Sequence, residues 1–272
     1  MSWGWMYPGP IYVAASGNNV HLVYTRSVDN PVTGQFGSDI FYKRSTDGGI
    51  TWNLTKRLTW SSAVYSCKIT ASGNNVHIAY TDCSLHHGHY DLYYKKSTDN
   101  GSTWVGRTQL ASLGKQQLKE NTDSPGQIYG IFQIVASTTT IHITYASDEE
   151  EFNSFDIYYL RSTDNGISWS SPQNLSNSGY AYSTYSYYGY NWLAVFNDNL
   201  YCVYSDYYYS PELVFVTSSD NGVTWSTPTP LAIRTDYSQW NGIVATSSYI
   251  HVVYMYNVDS TYGYDLFYLR GY

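Results

Sequence analysis

Short stretches of alternating apolar and polar residues run the length of the chain, each closed by a turn signal. Tyr12-Val-Ala-Ala-Ser-Gly-Asn-Asn19 leads into His21-Leu-Val-Tyr24, and Lys68-Ile-Thr-Ala-Ser-Gly-Asn-Asn75 leads into His77-Ile-Ala-Tyr80. Alternation with a period of two predicts half-buried β-strands. Gly-Asn-Asn between two such runs predicts a hairpin. A third run follows each hairpin: Asp39-Ile-Phe-Tyr-Lys, Asp91-Leu-Tyr-Tyr-Lys, Asp156-Ile-Tyr-Tyr-Leu, Glu212-Leu-Val-Phe-Val and Asp265-Leu-Phe-Tyr-Leu-Arg270. A weaker fourth run comes later, as in Thr55–Thr59 or Arg107–Ala111.

Between the third and fourth runs stands a nine-residue motif in four copies. They are Arg44-Ser-Thr-Asp-Gly-Gly-Ile-Thr-Trp52, Lys96-Ser-Thr-Asp-Asn-Gly-Ser-Thr-Trp104, Arg161-Ser-Thr-Asp-Asn-Gly-Ile-Ser-Trp169 and Thr217-Ser-Ser-Asp-Asn-Gly-Val-Thr-Trp225. The Asp reads as an acceptor for backbone N–H groups that holds a tight loop. The Asn-Gly or Gly-Gly pair supplies positive φ, and the Trp supplies area to pack between neighbouring units. One carboxylate per motif is too few for a calcium loop. The unit is thus four antiparallel strands in about 50 residues, repeated five times, a size and strand count that read as propeller blades.

The expected fold is an all-β, five-bladed β-propeller forming one domain over 1–272. Its blades span about 11–59, 66–112, 130–176, 191–232 and 242–272. The fifth repeat stops after its third strand. Residues 2–7, with Ser2-Trp3-Gly4-Trp5 at their head, are expected to supply the missing strand and cover the sheet edge.

Composition narrows the function. Charged residues make up 13% of the chain and the net charge is −7, which argues against a nucleic-acid partner. No apolar run is long enough for a transmembrane helix, so no membrane insertion is expected. The N-terminus carries no basic region followed by an apolar stretch, so no signal peptide is expected in this chain. Aromatics reach 18%, with 32 tyrosines. Three cysteines are too few for a disulfide scaffold. Hairpin pairing brings Cys67 near Cys83 but out of register, which leaves a disulfide between them open.

The four Ser-x-Asp-x-Gly-x-Thr/Ser-Trp motifs resemble the Asp-box, or BNR, repeat of sialidase-like β-propellers, and the resemblance covers essentially the whole chain. It implies a propeller whose boxes lie on the face opposite the active site. The family includes sialidases, other glycan-active proteins, lectin-like binders and non-enzymatic propellers, so the resemblance implies an often glycan-related, extracellular or cell-surface protein. Sialidases have six blades and three arginines that grip the substrate carboxylate. Here five blades are counted and the first strand, Pro10-Ile11-Tyr12-Val13, has no Arg. Only Arg26 and Arg234 fall in loops expected on the active-site face.

Those loops join the second strand of a blade to the third, and the fourth to the next blade. They carry most of the non-repeated sequence, which is where sites are built on rigid scaffolds. Trp60, Tyr90, Tyr188, Tyr207, Tyr208, Trp240 and Tyr262 lie there, with flat apolar faces and polar handles suited to sugar rings. They serve equally to pack one another and stiffen long loops. Asp82, Asp148 and Asp206 each follow the second strand of a blade and are the carboxylates best placed for glycosidic chemistry, which needs two acids across the bond. Asp236 and the run His86-His87-Gly88-His89 add polar contacts. Adjacent histidines in a short loop rarely converge on one ion, so neither metal nor cofactor is expected. His21, His77, His142 and His251 recur at one repeat position and read as scaffold.

The leading expectation is a carbohydrate-binding, lectin-like or adhesive module whose partner is a glycan or polysaccharide. A glycoside hydrolase is the alternative, and a protein-interaction scaffold the third reading.

Overall fold

The computed structural model describes residues 10–29, 36–83, 90–113, 132–147, 156–177, 191–206, 212–233, 241–257 and 264–271. Among them the regular elements are all strands, arranged in five antiparallel sheets. The chain divides into two compact units, Met1–Leu113 and Gly114–Tyr272.

The first unit holds two sheets. One runs β1 (Ile11–Ser16), β2 (Asn19–Asp29), β3 (Phe36–Ser45) and β4 (Lys56–Arg57) in that spatial order; the other runs β5 (Val64–Ser72), β6 (Asn75–Asp82), β7 (Asp91–Ser97) and β8 (Thr108–Ser112). The predicted Gly-Asn-Asn hairpins form, with Gly17 and Gly73 at φ 58° and 57°. Both faces of β6 are buried. One face joins a core cluster in which Val23 and Tyr42 of the first sheet, with Leu58 just after β4, meet Ile69, Ile78, Tyr80 and Tyr93 of the second.

The second unit holds three sheets: β9 (Phe132–Ala136) to β12 (Gln173–Asn174) through β10 (Ile141–Ser147) and β11 (Asp156–Ser162); β13 (Asn191–Phe196) to β16 (Thr229–Ile233) through β14 (Asn199–Asp206) and β15 (Glu212–Ser218); and β17 (Asn241–Ala245), β18 (Ile250–Asn257) and β19 (Tyr264–Gly271). The last sheet has three strands, matching the fifth repeat as read from the sequence. Residues 2–7, expected to add a fourth, lie outside the described residues. In this unit Ala194, Val203 and Leu213 pack on Ile243, Val252 and Tyr254, of which Val203, Ile243, Val252 and Tyr254 stand at the repeat positions of Val23, Ile69, Ile78 and Tyr80.

The repeated turn has the geometry its residues dictate. In the first copy Ser45 Oγ donates to Asp47 Oδ1 at 2.6 Å and accepts from Gly49 N at 2.8 Å, while Asp47 accepts from Thr51 N and Thr51 Oγ1 at 2.9 and 2.5 Å. Asp99, Asp164 and Asp220 accept in the same way. These bonds favour the ionised carboxylate, and they lower the pKa of Asp47 and Asp220 to about 2.

Two of the turns also fasten neighbouring sheets. Gly101, at φ 78°, lies under the Tyr42 hydroxyl so closely that a Cβ would sit 1.8 Å from it; Gly222 stands in the same relation to Tyr159. Trp104 and Trp225 meet those tyrosines edge-on at 5.0 and 4.9 Å. Arg44 Nη1 donates to Asn100 O at 2.6 Å, and Arg161 Nη1 to Asn221 O at 2.8 Å. The recurring histidines complete the joint: His21, His77 and His142 Nδ1 hydrogen-bond the hydroxyls of Tyr42, Tyr94 and Tyr159 at 2.6–2.8 Å. Burial lowers all three histidine pKa values to about 4, with Arg44, Lys96 and Arg161 respectively adding to the effect.

Cys67, Cys83 and Cys202 are free thiols. Cys67 pairs in register with Tyr80 rather than facing Cys83, and burial pushes its thiol pKa up to about 12.

Candidate functional site

Strand register defines one position at which the repeat is not constant. The acidic residue at or near the start of the third strand is opposed across the sheet by Arg26, Asp82, Ser147, Asp206 and Tyr256 in the five sheets, in the pairs Arg26↔Asp39, Asp82↔Asp91, Ser147↔Asp156, Asp206↔Glu212 and Tyr256↔Asp265. In the first and third sheets the acidic side has a structural task. Asp39 Oδ1 accepts from Thr59 Oγ1 at 2.7 Å and from Ser62 N at 3.2 Å, and Asp39 Oδ2 is ion-paired with Arg57. Asp156 accepts from Ser176 Oγ at 2.6 Å and Asn174 Nδ2 at 2.9 Å. The opposing side differs from sheet to sheet, and it holds two of the three carboxylates singled out in the sequence. Asp82 and Asp206 are thus equivalent residues. Their counterpart in the third sheet is Ser147, one residue before Asp148, which lies outside the described residues.

Asp82 opens onto a cleft of about 380 Å³ between the two sheets of the first unit. The far wall is the segment leaving β4, with Leu58, Thr59, Trp60 and Ser61; the near wall is the β6–β7 face with Tyr80, Asp82 and Lys95, joined by Arg107 from just before β8. The far wall is rigid for a readable reason. Asp39 ties Thr59 and Ser62, Arg57 Nε donates to Thr59 O at 2.9 Å, and Ser62, at φ 53°, lies against Gly37 so tightly that a Cβ there would fall 1.7 Å from Ser62 O. This frame leaves Trp60 70% exposed at the cleft, with the Arg57 guanidinium 6.0 Å from its ring.

The near wall is a charged set on an aromatic base. Asp82 is 1% exposed, with Arg107 Nη1 3.6 Å from its Oδ2. The Arg107 guanidinium lies 4.6 Å over the Tyr93 ring, and Tyr80 stacks on Tyr93 at 5.6 Å. Burial, with Asp82 beside it, raises the Tyr80 hydroxyl pKa, and burial with Asp91 raises that of Tyr93 to about 12. Burial and then Arg107 lower the pKa of Lys95.

The structure therefore brings Asp82 and Trp60 together and surrounds them with Lys95, Arg107 and Tyr80, none of which stood out in the sequence. Arg107 was legible only as a residue of an outer strand, and Tyr80 and Lys95 as repeat positions. Tyr90 is buried, its ring edge-on to Tyr65 at 4.7 Å. Arg26 is exposed with its guanidinium 3.8 Å over Phe41. Asp206, at the end of β14, is half-buried. His86, His87, His89, Tyr188, Tyr207 and Tyr208 lie outside the described residues, as do Arg234, Asp236, Trp240 and Tyr262.

No protein-family model matches the chain. No curated protein matches it closely enough to count as a relative. Solved structures do resemble it. A Penicillium chrysogenum alpha-L-arabinanase complexed with arabinobiose matches with a TM-score of 0.60 and 15% identity, over 95% of this chain and 79% of the other. The GH93 alpha-L-arabinofuranosidase of Fusarium graminearum, also with arabinobiose, matches with a TM-score of 0.57 and 14% identity, over 90% and 76%. A Hadza microbial sialidase matches with a TM-score of 0.55 and 11% identity; 92% of this chain spans 50% of that one. These are β-propeller glycoside hydrolases, and the chain shares their sialidase-like fold.

Proposed function

We propose that the chain is a carbohydrate-active propeller of the glycoside hydrolase kind. The observation that carries this reading is the fold likeness to an arabinanase, an arabinofuranosidase and a sialidase over 90% or more of the chain. The cleft supports it from the residue side, because it sets a buried carboxylate beside an exposed indole. Asp82, Asp206 and Asp148 are the acids of this proposal. One protonates the leaving oxygen while a second serves as base or nucleophile, the division that glycoside hydrolysis requires. Trp60 supplies a flat face on which a sugar ring stacks. The same reading takes the five sheets as blades of one ring, with residues 2–7 as the fourth strand beside β19, and places the protein outside the cell.

The test is release of reducing ends from arabinan, arabino-oligosaccharides and sialosides. Asp82→Asn and Asp206→Asn are each expected to lower kcat/KM by roughly 10²- to 10⁴-fold. Wild-type rates in both variants reject these residues as the catalytic pair.

A second reading is favoured by one feature of the cleft, the ion pair between Asp82 and Arg107. It holds the carboxylate as a fixed acceptor, which suits lectin-like binding without turnover. Calorimetry separates the two readings. Saturable glycan binding with no hydrolysis over a day supports the lectin, and turnover of the same glycan supports the enzyme.

A further inference from the structure

The cleft of the first unit holds two cations and one carboxylate, in a chain whose net charge is −7. Arg107 has Asp82 as its ion-pair partner and Tyr93 as its platform. Lys95 sits on the same face of β7, two residues beyond Tyr93. Among the described residues it has no hydrogen bond or ion pair, and the charge that acts on it is the like charge of Arg107. A cation drawn partly out of water beside another cation is uphill unless an anion joins them. The burial that depresses the Lys95 pKa is the same cost seen from the titration side.

Three features describe the anion that these two cations would take. It carries a single negative charge, because Asp82 and its register partner Asp91 stand close by and repel a dianion. It belongs to a molecule with a flat, partly apolar face, because Trp60 is held open opposite the cations. It fits about 380 Å³, the lower end of the range for small-molecule sites. We infer that the cleft binds an acidic sugar of the uronic-acid class, its carboxylate between Lys95 Nζ and the Arg107 guanidinium and its ring against Trp60. This rests on the carbohydrate reading above and adds the class of sugar. Arg107 can grip the carboxylate with two N–H donors, whereas Lys95 contributes a point charge.

The experiment is calorimetric titration with two probes, a disaccharide ending in glucuronic acid and its glucose-ended counterpart. Wild type is expected to bind the acidic probe at least tenfold more tightly, with the preference shrinking as salt rises. Lys95→Met, which keeps the aliphatic stem, removes the preference, and Lys95→Arg retains it. Trp60→Ala weakens both probes. Equal affinity for the two probes in wild type overturns the inference and leaves the carbohydrate reading standing. An undiminished preference in Lys95→Met also overturns it. Failure of both probes to bind overturns this assignment, while the hydrolysis panel separately decides the carbohydrate reading.

Discussion

At the scale of single residues, the repeated joints make stability depend on pH in two separate windows. His21, His77 and His142 have their pKa lowered from 6.5 to about 4. Between those values the unfolded chain takes up protons that the folded chain resists, so stability is full above pH 6.5 and falls as pH drops toward 4. Asp47 and Asp220 have theirs lowered from 3.8 to about 2. Their contribution is present above pH 3.8 and is lost as pH falls through the folded value. Melting temperature measured against pH should decline over both windows. His77→Gln should flatten the upper decline, and Asp47→Asn the lower; slopes unchanged in both variants would remove this account. Gly101→Ala should cost about 2 kcal/mol or more in urea unfolding, because it adds a left-handed penalty to the collision with Tyr42. A cost below about 0.5 kcal/mol would mean that the Tyr42 joint gives way easily. The scaffold role of the histidines was legible in the sequence because they recur. Lys95 was not, since its role depends on Arg107 arriving from another strand.

At the scale of elements, the order of strands and their hairpins could be read from alternation and turn residues, whereas the extent of the first outer strand could not. Five-residue runs were expected in Thr55–Thr59 and Arg107–Ala111; β8, Thr108–Ser112, has that length one residue on, but β4 spans only Lys56–Arg57. An outer strand has a ladder on one side only. Past Arg57 the chain is held by the Asp39 side chain instead, through Thr59 Oγ1 and Ser62 N. The acid opening each third strand was visible in the sequence as a repeated residue, but its bonds to the following loop were not, because they join residues about twenty positions apart. Asp39→Ala should therefore destabilise the protein by about 3 kcal/mol, since it strands a buried hydroxyl and a buried N–H together. It should also reduce glycan binding by releasing the segment that carries Trp60. If unfolding by urea is unchanged, the anchor is redundant. The three-stranded last sheet leaves β19 with Leu266 and Tyr268 exposed, although Tyr42 and Tyr159, at the same repeat position as Tyr268, are buried. Deleting residues 1–9 should lower the melting temperature if they cover that edge, and leave it unchanged if they do not.

At the scale of the whole molecule, the propeller class was legible because five copies of one unit each state the same strand pattern. Sequence identities of 11–15% to the solved structures leave little beyond that pattern in common. The site was less legible. It was expected from loop composition, and Asp82 and Trp60 do face one cleft, but the cations around them come from strands read as scaffold. The balance of function shifts accordingly. Aromatic loops alone favoured a lectin; the hydrolysis proposed above takes its support from the fold likeness and makes Asp82 and Asp206, at one register position, its acids. The measurement that tests this most directly is reducing-end release from a panel of neutral and uronic-acid-containing polysaccharides, with wild type and Asp82→Asn side by side. The account predicts release by wild type from at least one member and a loss of roughly 100-fold or more in the variant. Hydrolysis of none of the panel, or equal rates from both proteins, contradicts it.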